Sequence, residues 1–324
     1  MNIKDLKKYA KQGDASAQAY LGYLYEVGEG VRKDIETAVE WYRKAAKAGD
    51  PGAQLNLGRC YREGIGLFRN DLAAAKLFRA AADQGLPEAQ ICFAYALSEG
   101  EGIEQDPERA FSLYKKAARA GNVEALYYVA HAYHASSCGK RNMGIAVKWY
   151  RRAAEAGDVE AQVELARILE GGWGVRKNVR EATRWYAKAA RAGDMNAQCA
   201  LGRCYQHGQG VRVNLKKSVY WYVQSGESGY DFGYWCAAYM YMYPERGEAD
   251  MVNAARFFRK AYTLGDYIAG WELARCLRDG EGVTKNAKKS VAIFKSIIAE
   301  HDFPEAHFSL GYAYDKGLGI QRNG

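Results

Sequence analysis

Long apolar runs are missing from this sequence. No stretch of about 18 apolar residues occurs, which excludes a membrane-spanning helix. Residues 1–8 are charged and have no apolar core, so they do not form a secretory signal. If Met1 is the natural start, these features predict a cytoplasmic protein; a signal peptide that had already been removed would leave no trace.

Motifs for catalysis or for a cofactor are also missing. The five histidines are scattered along 324 residues and form no Ser/His/Asp pattern. Gly-x-Gly pairs occur, but they recur along the whole chain and no strand precedes them, which argues against a dinucleotide site. The sequence therefore predicts a protein that is not an enzyme and has no cofactor. An enzyme built on a repeat scaffold remains a weaker alternative.

The basic charge has little of the pattern that nucleic acid binding requires. The net charge is +8, and many of the basic residues stand near predicted helix ends, as in Arg43-Lys44 and Arg151-Arg152, where they complement the helix dipole. This distribution of charge does not require a continuous basic stripe with interleaved aromatics, which nucleic acid binding would need. Nucleic acid binding is therefore a weak alternative.

A 36-residue repeat extends over nearly the whole chain. Seven consecutive units have this length, and the eighth is one residue longer. The sequence predicts an N-terminal capping helix in residues 1–13, eight repeats in 14–302 and a partial ninth repeat in 303–324. The repeats begin at Asp14, Asp50, Leu86, Asn122, Asp158, Asp194, Tyr230 and Asp266. Asn323 would cap a further helix that Gly324 does not begin, which favours a chain that continues.

Each repeat carries the signals of two helices. Position 21 is always Asp or Asn, which predicts an N-cap, and position 36 of the first seven repeats is Gly, which predicts the end of the second helix. A Gly-x-Gly pair separates the helices in most repeats. These signals predict a helix of about 13 residues, a tight turn, and a helix of about 15 residues. Small residues at positions 9 and 25 and large ones at 12, 28 and 29 predict closely packed helices.

The repeat motif resembles that of a known family. Leu21-Gly22-Tyr23-Leu24-Tyr25, Gly28-Glu29-Gly30-Val31 and Ala38-Val39-Glu40-Trp41-Tyr42 are similar to the Sel-1-like repeat, a relative of the tetratricopeptide repeats. The resemblance implies an all-α, right-handed superhelical solenoid whose first helices line a concave groove. It also implies a protein-binding adaptor, and many bacterial members act in signalling or host contact. Repeats four and seven depart from the motif in their turns, at 135–139 and 243–247.

Position 10 is the strongest candidate for a partner-binding site. It lies on the predicted groove face and holds only Tyr, Arg or His, and Tyr and Arg are enriched at binding hot spots. The predicted partner is a protein or peptide carrying acidic groups. The position-10 row comprises Tyr23, Arg59, Tyr95, His131, Arg167, Arg203, Tyr239, Arg275 and Tyr312. The alternative interpretation is that these side chains pack on neighbouring repeats.

Position 6 and repeat seven add apolar candidates. Position 6 predicts an aromatic and aliphatic stripe beside the row, formed by Leu55, Ile91, Tyr127, Val163, Trp235, Trp271 and Phe308. The excess of aromatics in repeat seven predicts an exposed interface patch. Its alternatives are a seam within the protein or a homodimer contact, through repeat seven or the C-terminal end. A bacterial effector or a toxin-neutralising, immunity-type protein is the alternative function, and it differs from an adaptor only in its partner.

The seven cysteines give no disulfide or metal pattern. Cys60, Cys204 and Cys276 share position 11, where four other repeats have Leu24, Ala96, Ala132 and Ala313, so they are predicted to be small core residues. No cysteine pair repeats at a bridging spacing, which favours a reduced protein. Cys138, in the altered turn of repeat four, is the candidate reactive thiol. His131 and His134 are three apart, but no third ligand accompanies them and no metal site is predicted.

Overall fold

The structure is a computed structural model that describes residues 2–136, 142–244 and 248–319. These residues form eighteen α-helices and no strand. In chain order the helices are α1 Ile3–Lys11, α2 Ala15–Val27, α3 Ile35–Lys47, α4 Pro51–Glu63, α5 Asp71–Asp83, α6 Pro87–Glu99, α7 Pro107–Arg119, α8 Val123–Ala135, α9 Met143–Glu155, α10 Val159–Gly171, α11 Val179–Arg191, α12 Met195–His207, α13 Leu215–Glu227, α14 Asp231–Met242, α15 Met251–Thr263, α16 Tyr267–Asp279, α17 Ala287–Glu300 and α18 Pro304–Asp315.

The predicted all-α class of helix-turn-helix repeats is confirmed. Even-numbered helices from α2 are the first helices of successive repeats, and odd-numbered helices from α3 are the second helices. The second helices are shorter than the predicted length of about 15 residues: the odd-numbered helices from α3 to α15 have 13 residues each, and α17 has 14. The difference arises at their C-termini. After α3, Gly49 donates to Ala46 and Asp50 donates to Ala45, so a Schellman turn replaces the last helical residues.

The predicted caps and glycine turns are confirmed. At each described position 21, the Asp or Asn side chain accepts a hydrogen bond from the N–H three residues on, as Asp34 does from Thr37 at 3.0 Å. Gly49, which follows the second helix, has φ +93°, and the turn glycines Gly28 and Gly30 are also left-handed. Most first helices are capped similarly at position 1, as Asp50 caps α4; the sequence reasoning missed this second set of caps.

Small residues at position 9 allow the two helices of a repeat to approach closely, as predicted. A Cβ added to Gly58 would lie 2.6 Å from Cε1 of Phe78, and one added to Gly202 would lie 2.8 Å from Cδ1 of Tyr222. Both aromatic rings come from position 29 of the second helix, and both are buried. The helix backbones therefore approach until the aromatic side chain lies over the glycine.

Successive repeats meet at the second glycine of each turn. A Cβ on Gly66 would lie 2.6 Å from Cγ2 of Ile35, and one on Gly210 would lie 2.6 Å from the Val179 carbonyl oxygen. Ile35 and Val179 begin the second helices of the preceding repeats. Two constraints therefore require glycine at the second turn position: its left-handed backbone and its direct contact with the neighbouring repeat.

Positions 33 and 5 form another contact between repeats. In the joints at Gln18, Gln54 and Gln198 an alanine carbonyl accepts from the glutamine amide, as Ala10 does from Gln18 at 2.9 Å. At the two joints of repeat seven, a glycine and a tyrosine occupy these positions instead of alanine and glutamine. A Cβ on Gly226 would lie 2.7 Å from Cδ2 of Tyr234, and one on Gly270 would lie 2.7 Å from Cε2 of Tyr262. A tyrosine therefore fills each space that the opposing glycine leaves.

The chain forms two compact units, Met1–Ala161 and Gln162–Gly324. In the first unit, Leu6 and Ala10 of α1 are buried against Leu21 and Leu24 of α2. In the second unit, Phe258 and Phe294 belong to a larger buried cluster. Cys138, residues 245–247 in the altered turn of repeat seven, and Asn323 with Gly324 lie outside the described residues.

Candidate functional site

The position-10 row lies on the surface of the first helices. Seven of its nine side chains are exposed, while Tyr95 and Arg275 are half-buried. Tyr23, Tyr239 and Tyr312 expose 43%, 45% and 43% of their surface. A tyrosine that only packed between helices would be buried, as Tyr42 is. The row is therefore accessible to a partner, and its binding role stays a prediction.

The arginines of the row differ in their partners. Arg167 pairs with Glu164 at 3.1 Å, and Arg275 pairs with Glu272 at 3.0 Å. Arg203 pairs at 2.9 Å with Glu170 of the preceding repeat. No carboxylate of the described residues pairs with Arg59. Because such surface pairs contribute under about 1 kcal/mol, they can be exchanged for a partner's carboxylate at little cost.

Two adjoining cavities of the first unit are bordered by the row. Arg59 and Tyr95 line a cavity of about 500 Å³. Tyr95 and His131, together with Tyr127 of position 6, line a second cavity of about 330 Å³. Tyr95 belongs to both. Position 10 of three successive repeats thus lines adjoining concave space, which is the geometry that a bound segment needs.

The charge in the larger cavity is mixed rather than purely basic. It is lined by three arginines and three glutamates: Arg59, Arg62, Arg69, Glu88, Glu101 and Glu124. Arg69 is held by Asp71 at 2.9 Å, and Arg62 by Glu63 at 2.9 Å. The expected basic stripe is therefore interrupted by carboxylates in this unit. A purely polyanionic ligand would meet repulsion here as well as attraction.

Repeat seven carries a row of aromatic rings, the aromatic ladder: Phe232, Trp235 and Tyr239 of α14 are stacked, and Tyr243, just after α14, is tilted against Tyr239. Successive ring centroids are 5.6, 5.2 and 4.8 Å apart. Phe232, Tyr239 and Tyr243 expose 45%, 45% and 56% of their surface. Tyr234 points the other way, is buried, and stacks on Phe257 at 5.9 Å. Repeat seven therefore splits its aromatics between core and surface.

A mostly apolar cavity adjoins the aromatic ladder. Its volume is about 470 Å³, and Tyr239, Tyr241 and Tyr243 line it together with Leu215 and Val219. Exposed rings beside an apolar cavity are a common arrangement at protein interfaces, because aromatic side chains supply large contact areas at low entropic cost.

The predicted stripe at position 6 is wrong at two residues. Leu55 and Ile91 are buried, with 6% and 4% exposed, so they belong to the core. Trp271 is half-buried, and its indole N–H donates to Ser309 at 3.0 Å, so it packs on the next repeat. Phe308 is 79% exposed. The side chain at position 6 is buried wherever the neighbouring repeat packs against it. The pattern of apolar residues within one helix does not predict this burial.

Position 13 has a structural function that the sequence reasoning missed. The hydroxyl of Tyr186, at position 29, donates to Glu170 at 2.9 Å, and that of Tyr222 donates to Gln206 at 2.8 Å. Burial and Glu170 raise the pKa of Tyr186 well above its ordinary value, so the hydroxyl stays protonated. The signal is present in the sequence: tyrosine at position 29 accompanies an acceptor at position 13, whereas Phe78 accompanies Arg62.

The described residues contain no group of three or more His, Cys, Asp or Glu side chains able to hold a metal ion. His134 instead lies 3.4 Å from the Tyr150 hydroxyl. Cys60, Cys204 and Cys276 are buried, which confirms their prediction as core residues. Within the described ranges, no helix has the length and apolar content that crossing a bilayer requires.

The fold is that of a helix-pair repeat protein. The family model of the Sel1 repeat matches residues 15–50, 51–86, 87–122, 123–158, 159–194, 196–230, 234–266, 269–299 and 304–324. The chain therefore belongs to the Sel1 repeat family, whose repeats generally mediate contacts between proteins.

Solved structures agree with this assignment. A protective antigen present in uropathogenic Escherichia coli strains, which displays an SLR fold, is 29% identical over 100% of this chain and 84% of its own, with a TM-score of 0.61. A Sel1 repeat protein from Oxalobacter formigenes is 33% identical over 69% of this chain and 93% of its own, with a TM-score of 0.63. No curated protein sequence matches the chain.

Proposed function

We propose that this chain is an adaptor without catalytic activity that binds a partner protein or peptide through the position-10 row. One observation carries the proposal: nine successive first helices place Tyr, Arg or His at the same position, and none of these side chains is buried. Packing alone does not require polar tips at an exposed position. Tyrosine and arginine combine contact area with hydrogen bonding, which is typical of binding hot spots.

The aromatic ladder is the second part of the proposed surface. Tyr239 belongs both to the row and to the ladder, so the polar and apolar parts meet at this residue. The partner that fits this chemistry carries apolar or aromatic anchors for the ladder and carboxylates for the arginines. Arg59 is the foremost carboxylate-binding candidate, since it has no partner among the described carboxylates. No observation favours an effector or toxin-neutralising role over an adaptor role.

A pull-down from the native organism, read by mass spectrometry, identifies the partner, and a charge-reversed variant then tests the site. Changing Arg59, Arg167, Arg203 and Arg275 to Glu should weaken partner binding by at least about tenfold, because several hot-spot contacts become repulsive. A control changes Arg43, Arg79, Arg184 and Arg259, which are exposed on second helices, to Glu.

The control variant undergoes the same change in net charge on the other helices. It should bind as the unmodified chain does, provided that circular dichroism shows both variants to be helical. Equal binding by the row variant and the unmodified chain would contradict the proposal. Equal loss in both variants would show that net charge, and not the row, determines binding.

A further inference from the structure

The smaller of the two adjoining cavities in the first unit has an aromatic wall. Its volume is about 330 Å³, and it is lined by Phe111 and by four tyrosines, Tyr95, Tyr114, Tyr127 and Tyr128. The rings of Tyr114 and Tyr128 are stacked with centroids 4.7 Å apart, and those of Tyr127 and Tyr128 pack edge-to-face at 5.7 Å. Tyrosine at both positions 6 and 7 occurs in repeat four alone. The aromatic wall is therefore specific to this part of the chain.

Two carboxylates lie beside the aromatic wall, because Glu99 and Glu160 line the same cavity. Among the described residues that line it there is no lysine or arginine. Glu99 accepts a hydrogen bond from the Ser98 hydroxyl at 3.3 Å, and within the described part of the chain no basic side chain forms an ion pair with it. The larger cavity differs, since three arginines line it.

The tyrosines contribute ring faces rather than charge. Burial, together with Glu124 and Glu160, raises the pKa of Tyr128 to about 12. Burial also raises the pKa of Tyr114, and the Glu99 carboxylate adds to this effect. Both hydroxyls are therefore protonated at neutral pH, and the negative charge beside them comes from the glutamates. The face of an aromatic ring has a negative electrostatic potential and attracts a cation within about 6 Å of the ring centroid.

Other rings of this chain already hold cations in this way. Lys188 lies 4.1 Å from the ring centroid of Trp185. Phe111, in the wall of the smaller cavity, has Lys115 at 5.2 Å. No cation of the described residues lies over Tyr95, Tyr114 or Tyr128. These rings are therefore available to a cation from outside the chain.

We propose that the smaller cavity is a cation pocket for a basic side chain, lysine or arginine, of the partner protein. The cation lies between the tyrosine rings and the carboxylates of Glu99 and Glu160, and the rings cover the apolar stem of the side chain. The inference rests on the proposed function for the source of the cation. It also refines that function: Tyr95 lines both cavities, so a partner carboxylate on Arg59 and a partner cation in the pocket bind side by side.

The test uses the full chain with isotope-labelled tyrosine rings, whose NMR signals are assigned by single Tyr→Phe substitutions. The probes are Nα-acetyl-lysine methylamide and its uncharged analogue, Nα-acetyl-norleucine methylamide, at about pH 8, where an ordinary histidine is neutral. The lysine probe should shift the Tyr95 and Tyr128 signals to saturation and bind at least about tenfold more tightly than the norleucine probe. Equal affinity of the two probes, or no saturable shift of these signals, overturns the proposal.

Variants test the two parts of the pocket separately. Glu99→Gln combined with Glu160→Gln should weaken binding of the lysine probe at least about tenfold, because the charge-assisted contacts are lost. Glu36→Gln combined with Glu40→Gln makes the same change in net charge on the exposed face of α3 and should leave probe binding unchanged. Equal loss in both would contradict a defined pocket. Tyr95→Leu should also weaken binding, whereas Tyr95→Phe should preserve it, because phenylalanine keeps the ring face.

Partner binding distinguishes the cation pocket from the proposed function. The variant without the Glu99 and Glu160 carboxylates should bind the partner found by pull-down at least about tenfold more weakly than the unmodified chain. If the row variant loses the partner and this variant does not, the position-10 proposal stands and the cation pocket is wrong. If this variant loses the partner and the row variant does not, the cation pocket stands and the role of the row is wrong.

Discussion

The contact between repeats at the second turn glycine can be measured with one pair of substitutions. Gly100 and Gly102 stand in the same turn and have nearly the same left-handed backbone, with φ +75° and +67°. A Cβ on Gly100 would have its nearest neighbours at 3.7 Å, an ordinary contact. A Cβ on Gly102 would overlap the backbone of Asp71 and Leu72, at the start of α5 in the preceding repeat.

The two substitutions to alanine therefore share one cost and differ in another. The left-handed conformation costs an alanine about 1 kcal/mol at either position. The gain from a less flexible unfolded chain is also common to both and cancels in the comparison. Gly102→Ala alone forces the Asp71 backbone to move, and overpacking of this kind costs about 1–3 kcal/mol. We expect losses of about 1 kcal/mol for Gly100→Ala and about 3 kcal/mol for Gly102→Ala.

Native-state hydrogen exchange is the suitable assay, because a repeat array does not unfold in one all-or-none step. Amides of α5 and α6 should exchange faster in Gly102→Ala than in Gly100→Ala, by a factor of about 30 for a difference of about 2 kcal/mol. Equal exchange in the two variants would refute the reasoning, since the glycine would then be needed only for its backbone conformation.

Two further predictions concern buried hydroxyls and helix caps. Tyr186→Phe should destabilise α10 and α11 by about 1 kcal/mol, and Phe78→Tyr should destabilise α4 and α5 by about 1–3 kcal/mol, because Arg62 offers the new hydroxyl no acceptor; native-state hydrogen exchange that ranks the two in the opposite order would contradict the pairing of positions 13 and 29. Hydrogen bonds from the backbone and side chain of Thr37 lower the pKa of Asp34 below 3.8. The carboxylate's stabilisation is complete above that ordinary value and is lost as the pH falls through the lower folded pKa. Asp34→Asn should remove this pH dependence and keep the cap, which denaturation in acid can check.

The sequence predicted the fold well because its signals recur in every repeat. The cap at Asp34 has seven counterparts and the glycine turn at Gly28 has six, so one atypical repeat does not obscure them. Burial at position 6 was harder to predict, since it depends on how closely the next repeat approaches. Leu55 is covered and Phe308 is not, although both occupy the same position.

The candidate site was predictable in part. Position 10 is restricted to three residue types, and that restriction points to an exposed surface. The ion pair of Arg203 with Glu170 of the preceding repeat was missed because its members stand at different repeat positions. Only the packing of two neighbouring helices brings them together. Interactions that occur once in the chain have no repeating signal, and the three-dimensional structure is needed to find them.

The exchange of sizes at Gly226–Tyr234 and Tyr262–Gly270 restricts how such a chain can change in length. Where Ala10 meets Gln18, or Ala190 meets Gln198, the same pair of residue types recurs, so a duplicated or excised repeat would meet a matching neighbour. Excision of repeat seven would instead place Gly226 opposite Gly270 and leave a void. Repeats can therefore be duplicated or removed at the alanine–glutamine joints without a packing defect. Around repeat seven they cannot, because repeats six, seven and eight fit together only in this order.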